Sequence, residues 1–371
     1  MRSRRRPQSG ARPRVLLCTS NGVGLGHVTR MLAVGEALQP EIDSVMFTLS
    51  AALPIPIGAG MTVEHLASVD QFGSSSTEWH TLLAERVDQL IAAYRPDALL
   101  FDGVHPYLGL RDAIRRNRRR LVSVWVRRAM WKPDVRTDAR ALDELGGAFD
   151  HILEPGDYAE GYDHGITARH RDRVTQVPPI VYGTRTPRPD RVQACAELGL
   201  RASDTNVLVQ LGAGQINDIR STVGAVVSAL EGRPSVQTVL AQSVLSAPKA
   251  GGTRSVIEVR RFPITHWIAA FDAAVVAAGY NSFHEMLSLR IPTIIVPNLS
   301  TRTDDQDARS RWAQDHGVGY RWDGRTAEDL RAAIEAILDS TERDRIIDRL
   351  SELEAANGAS EAAAVISRGL G

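Results

Sequence analysis

Short apolar runs alternate with stretches of helical periodicity along most of this chain, and that alternation admits few folds. In the first half, Val15–Thr19, Val45–Leu49, Thr62–Leu66, Ala98–Phe101, Leu121–Val126 and His151–Leu153 read as strands, with helical patterns such as Thr81–Tyr94 between them. Strands of nearly continuous Val, Ile and Leu are buried on both faces, and strand–helix alternation builds a parallel sheet covered by helices. The stretch VPPIVYGTRTPRPDR, Val177–Arg191, then crowds prolines into one place and reads as a linker. After it the pattern restarts at Asn206–Leu211, Val236–Ala241, Ser255–Val259, Ala273–Ala277 and Thr293–Pro297. The expectation is two doubly wound α/β domains, over 14–180 and 192–340, joined by a linker at 181–191. A basic solvated tail occupies 1–13, and helices over 341–371 could fold back on the first domain.

Composition narrows the function classes. A chain of 371 residues with 43% hydrophobic content and formal net charge +0 has room for two ordinary domains and no general affinity for nucleic acid. Its cysteines, Cys18 and Cys195, lie far apart and in no metal-ligand spacing, which argues for a reducing compartment without a disulfide framework. No apolar run approaches the roughly 20 residues of a membrane span. The opening MRSRRRPQSGARP lacks the apolar core of a signal peptide. A cytoplasmic protein is expected, with that tail either solvated or weakly held at an anionic membrane surface as a peripheral contact.

In such sheets ligands bind at the carboxyl ends of strands, so the chemistry is sought there. The first strand runs into NGVGLGHVTR, where Gly22, Gly24 and Gly26 precede His27 at the start of a helical pattern. A dinucleotide site needs a different glycine spacing and an acidic residue after the second strand, which instead ends in Ser50. A phosphate loop needs Gly-Lys-Ser/Thr, which is not present at His27-Val28-Thr29. What remains is either a tight turn with a structural histidine, or a bare backbone that something approaches beside an imidazole kept neutral by the helix dipole. In the second half, Leu211-Gly212-Ala213-Gly214-Gln215 follows a strand and suits a diphosphate. Further on, AGYNSFHEML sets Gly279 at a strand end and Glu285 in a short helix. Glu285 either completes a capping box with Ser282 or accepts hydrogen bonds from ribose hydroxyls. His105, past LLFD, is a second imidazole at a carboxyl end or a plain loop residue. Arg127 and Arg128, after LVSVWV, hold an anionic acceptor or are merely solvated.

Taken together, the histidine loop, the Pro-rich linker, the glycine–glutamine loop, the run G-x-x-S-x-x-E-M-L-x-L-x-x-P-x-I-x-V-P and the downstream Asp-Gln resemble the GT-B glycosyltransferases. The chain is similar in particular to glycosyltransferase family 28, from about Val15 to about Gly319. The resemblance implies two Rossmann-like domains facing across a cleft, and an inverting, metal-independent transfer from a UDP-sugar such as UDP-N-acetylglucosamine or a UDP-hexose to an acceptor hydroxyl. It implies that Glu285 holds the ribose, that the backbone at Phe262 and Ile264 lies near the base, and that Gly212 to Gln215 meet the diphosphate. Gly279, Asn281 and Ser282 belong to the same donor motif, Asp305 and Gln306 meet the sugar, and Gly24 and Gly26 allow its close approach. The first loop departs from the family's G-G-T-G-G-H form, and the region after Asp102 departs from the peptidoglycan enzyme's pattern. No metal or cofactor is expected, since no D-x-D triplet suited to a metal–diphosphate bridge appears at a strand end; Asp304-Asp305-Gln306-Asp307 comes nearest and reads as sugar-binding. The acceptor hydroxyl needs a base, with His27 first and His105 second. A hydrolase or epimerase of nucleotide sugars, and a non-catalytic binder of them, are the competing classes.

Overall fold

The computed structural model of the chain describes residues 12–20, 25–73, 75–183, 187–212, 220–243 and 256–370. The apolar runs close two parallel sheets, each the centre of a compact unit. Unit 1 comprises the chain to Gly156, then His164–Ile180, and again from Asn357. Its elements are β1 (Arg14–Thr19), α1 (Gly26–Leu38), β2 (Asp43–Thr48), α2 (Pro54–Gly58), β3 (Thr62–His65), α3 (Val69–Phe72), α4 (Ser76–Tyr94), β4 (Ala98–Asp102), α5 (Leu108–Asn117), β5 (Val122–Val126), α6 (Ala139–Gly146), β6 (His151–Pro155) and β7 (Thr175–Val177). The seven strands run in the order β3-β2-β1-β4-β5-β6-β7. Leu16, Leu17, Leu99 and Leu100 are wholly buried, because helices cover both faces.

Unit 2 comprises Asp157–Asp163 and Val181–Ala356. It contains α7 (Arg191–Leu198), β8 (Thr205–Gln210), α8 (Arg220–Leu230), β9 (Val236–Ala241), β10 (Val256–Val259), β11 (Ala273–Ala277), α9 (Tyr280–Ser288), β12 (Thr293–Val296), α10 (Gln306–Asp315), β13 (Tyr320–Arg321), α11 (Ala327–Leu338) and α12 (Ser340–Ser351). Its six strands run β10-β9-β8-β11-β12-β13. The edge strands β7 and β13, TQV and YR, have no apolar run and no counterpart in the sequence reading.

Of the C-terminal helices expected to fold back on the first domain, α13 (Gly358–Leu370) belongs to unit 1 whereas α12 belongs to unit 2. The α13 entry is tight: Gly358 N donates to Pro179 O at 3.2 Å. A Cβ on Gly358 would stand 1.8 Å from Pro178 O, so only glycine fits there.

Candidate active site

Both sheets reverse strand order at their first strand, between β1 and β4 in unit 1 and between β8 and β11 in unit 2. Such switch points open a crevice at the carboxyl ends of the strands, and the chemistry-bearing residues fall there.

In unit 1, β1 and β4 pair in register with Thr19 opposite Asp102, and Ser20 N donates to Asp102 O at 2.9 Å. That pairing fixes the last residue of β4 beside the entry of α1. His27, in the first turn of α1, has Nδ1 2.6 Å from Asp102 Oδ1. A carboxylate only accepts, so the bond assigns the proton to Nδ1 and leaves Nε2 with its lone pair. Among the described residues Nε2 makes no hydrogen bond, and the side chain keeps 13% of its exposure. Arg30, one turn on, grips the same carboxylate through Nε to Oδ2 at 2.9 Å and Nη2 to Oδ1 at 2.8 Å. Burial pushes the Asp102 carboxyl upward, but Arg30 and His27 outweigh it and hold it at about 2. Burial lowers the His27 pKa, the Asp102 charge opposes this, and the charges of Arg30 and Arg128 add to the lowering. The result is a neutral imidazole on a permanently ionised carboxylate.

The other unit 1 candidates divide. His105 is exposed, with its ring 5.1 Å from that of Trp131, and among the described residues no ion pair orients it. Arg128 is half-buried and within electrostatic reach of His27. Arg127 must be corrected: its Nη2 lies 2.7 Å from Glu154 Oε2, and both side chains are 1% exposed. A charge so buried and so paired is not available to an acceptor. Asp102 and Arg30 escaped the sequence reading, although Arg30 stands at i+3 from His27 on one helix face. Gly24 lies outside the described residues, and Gly26 opens α1.

In unit 2, Gly212 follows β8 with φ +93, a conformation that favours glycine, while Ala213, Gly214 and Gln215 lie outside the described residues. Helix α9 starts at Gly279 with no side-chain cap, and Asn281 and Ser282 fall in its first turn. The capping box expected of Ser282 and Glu285 does not form, because the N-cap is Gly279, three residues earlier. Glu285 is 8% exposed, and among the described residues no hydrogen bond or ion pair reaches its carboxylate. Burial alone pushes its pKa up to about 7. Ile264 is buried, and the Phe262 ring stacks on Tyr182 at 5.7 Å.

The Asp304–Asp307 run is bound up with its neighbours. Asp305 caps α10 through Oδ1 to Ala308 N at 3.0 Å. Gln306 accepts from Asn298 N at 3.0 Å and donates to Asp304 Oδ2 at 3.2 Å, and its Nε2 lies 3.9 Å from where a Gly279 Cβ would be. Asp307 pairs with Arg321 at 2.7 Å. Thus Gly279, the start of α9 and Gln306 are brought together at the carboxyl end of β11.

Residues 192–366 match the model of the glycosyltransferase family 28 C-terminal domain. No curated protein matches the chain. Among solved structures, the glycotransferase of kitacinnamycin is 17% identical with TM-score 0.66, over 97% of this chain and 100% of its own. The spinosyn rhamnosyltransferase is 17% identical with TM-score 0.62, over 96% and 100%, and has also been solved with thymidine diphosphate and with spinosyn aglycone. A putative UDP-N-acetylglucosamine 2-epimerase from Listeria monocytogenes is 14% identical with TM-score 0.63, over 96% and 95%. At these identities the likeness is one of fold, and the family match supplies the activity. Residues 192–366 are a glycosyltransferase family 28 C-terminal domain, and the chain carrying it is a glycosyltransferase with the GT-B fold.

Proposed function

We propose that the chain is an inverting, metal-independent transferase that moves a sugar from a nucleoside-diphosphate sugar, a UDP-sugar first, to an acceptor hydroxyl in the cytoplasm. The observation that carries this reading is the His27–Asp102 pair at 2.6 Å, with Nε2 unengaged among the described residues. The acceptor hydroxyl gives its proton to Nε2 as its oxygen bonds to the anomeric carbon, and the bond from that carbon to the diphosphate oxygen breaks. Asp102 stabilises the imidazolium that forms, and because Arg30 keeps it ionised it takes no proton itself. Amides at the α9 N-terminus receive the charge that develops on the leaving diphosphate. Glu285 receives the ribose hydroxyls, Gly212 lies at the diphosphate, Phe262 and Ile264 lie at the base, and Asp305 with Gln306 meets the sugar. Arg128, rather than Arg127, faces the acceptor. The thymidine diphosphate held by the spinosyn rhamnosyltransferase supports a donor of this kind and makes dTDP-sugars the second to try.

The test is His27→Ala. Nucleotide affinity should stay within about twofold while turnover falls ~10²–10⁴, the range for a lost general base. Turnover within about tenfold of wild type, in a folded protein that still binds nucleotide, removes His27 as the base and passes the role to His105. Release of free sugar that no acceptor accelerates would make the chain a hydrolase.

A further inference from the structure

Two buried charges in unit 2 have no part in that reaction. Arg309, on α10, is completely buried, and the side chain of Asp157, which precedes the 3₁₀ turn Glu160–Tyr162, is 1% exposed. Arg309 Nε lies 2.7 Å from Asp157 Oδ2, and its Nη1 lies 2.7 Å from Asp304 Oδ1. Nη1 also approaches Ala278 O at 3.4 Å, directly before the N-cap of α9. Among the described residues Nη2 makes no hydrogen bond. The guanidinium therefore bridges two carboxylates through separate nitrogens, an arrangement a lysine ammonium cannot copy. Asp157 is fixed in turn by Ala159 N at 3.1 Å. Its neighbour Tyr158 donates its backbone N–H to His284 Nε2 at 3.3 Å and stacks on Trp312 at 6.4 Å.

The consequence passes through Asp304. Its second oxygen accepts from Gln306 Nε2, while Gln306 Oε1 accepts from Asn298 N. An amide held between a donor at its oxygen and a carboxylate at its nitrogen has only one orientation. The hydrogen-bonding capacity left over is the second N–H on Nε2 and the second lone pair on Oε1, and Nε2 is the atom that lies 3.9 Å from where a Gly279 Cβ would be. We propose that Arg309 is a positioning residue which, by holding Asp304 between itself and Gln306, makes Gln306 a donor to a hydroxyl oxygen of the transferred sugar and so helps select that sugar. This rests on the donor-sugar reading of Gln306 above. It predicts a class of substrate group: an acceptor oxygen on the sugar, as in a hydroxyl, at the position facing Gln306.

Asp304→Asn is the test, because it leaves the Arg309–Asp157 pair intact. Arg309 claims the new amide's oxygen, so the amide's NH₂ faces Gln306 and the orientation is no longer fixed. Calorimetry with UDP and with UDP-N-acetylglucosamine, and with dTDP and dTDP-glucose in parallel, gives the ratio of dissociation constants for sugar-bearing and sugar-free nucleotide. The expected result is a diphosphate constant within about twofold of wild type and a sugar-nucleotide constant weakened about tenfold, the worth of one good hydrogen bond. Arg309→Lys should move the ratio in the same direction. An unchanged ratio in folded Asp304→Asn protein overturns the positioning role and leaves the donor reading standing. Equal losses for both ligands, in step with melting temperature, overturn it in favour of a purely structural pair. Failure of wild type to bind any of the four nucleotides overturns the donor reading and this inference with it.

Discussion

Glu285 is where binding and stability pull in opposite directions. An ordinary glutamate at 4.5 is raised to about 7 by burial without a counter-cation. At roughly 1.4 kcal/mol per pH unit, that difference amounts to about 3 kcal/mol. The native chain holds this proton more tightly than the unfolded chain does. The contribution to stability is therefore complete below 4.5 and is lost as pH rises through about 7. Glu285→Gln removes the titration. The variant should be as stable as wild type near pH 4.5 and up to about 3 kcal/mol more stable at pH 8, read from denaturant unfolding at both values. Nucleotide binding should move the other way. If ribose hydroxyls donate to the ionised carboxylate, wild-type affinity for UDP weakens by up to about tenfold per pH unit below 7, and the variant loses roughly 1.5–3 kcal/mol at pH 8 with a flat profile. A variant less stable than wild type at pH 8 would refute the buried, unpaired carboxylate. A loss under about threefold in the UDP constant would refute the ribose role.

Other expectations are simpler. Asp102→Asn removes the carboxylate of a buried ion pair and should cost about 3–5 kcal/mol, so an unchanged melting temperature would dissolve the clamp of Arg30 and His27 on Asp102. Turnover should survive EDTA, because Asp304 is held by Arg309, Asp305 by Ala308 N and Asp307 by Arg321; activity lost to chelator and restored by manganese or magnesium would contradict this. Gly358→Ala should lower the melting temperature sharply, since its Cβ would meet Pro178 O at 1.8 Å; an unaltered melting temperature would mean that α13 does not need that close entry.

The strands and the loop-borne residues were legible because their signals are local. Runs such as VLLCT announce burial on both faces, and a glycine loop ahead of His27 marks a helix entry by itself. Asp102 was not legible in that way, because it meets His27 only once β4 pairs beside β1, 75 residues away. A doubly wound order carried to its end would have brought that carboxylate to the same crevice. Arg127 misled for the converse reason. Its backbone N–H donates to Leu153 O, continuing the ladder beyond β5, and Glu154 of β6 neutralises its side chain; the sequence shows the charge and not the partner. Ser282-x-x-Glu285 matched a cap, yet the helix begins earlier, at a glycine with no side chain to announce it.

The division of the chain into units also has a consequence for its synthesis. Unit 2 has all its residues by Ala356, while unit 1 lacks α13 until Gly358–Leu370 emerges. At roughly 5–20 residues per second, Val181–Ala356 takes on the order of ten seconds or more to translate. Throughout that interval the face of α1 that α13 will cover waits uncovered, with His27 and Arg30 on the same helix. The half of the protein that is made first is thus the half finished last, and a ribosome stalled after Ala356 would carry all of unit 2 and a unit 1 still without α13.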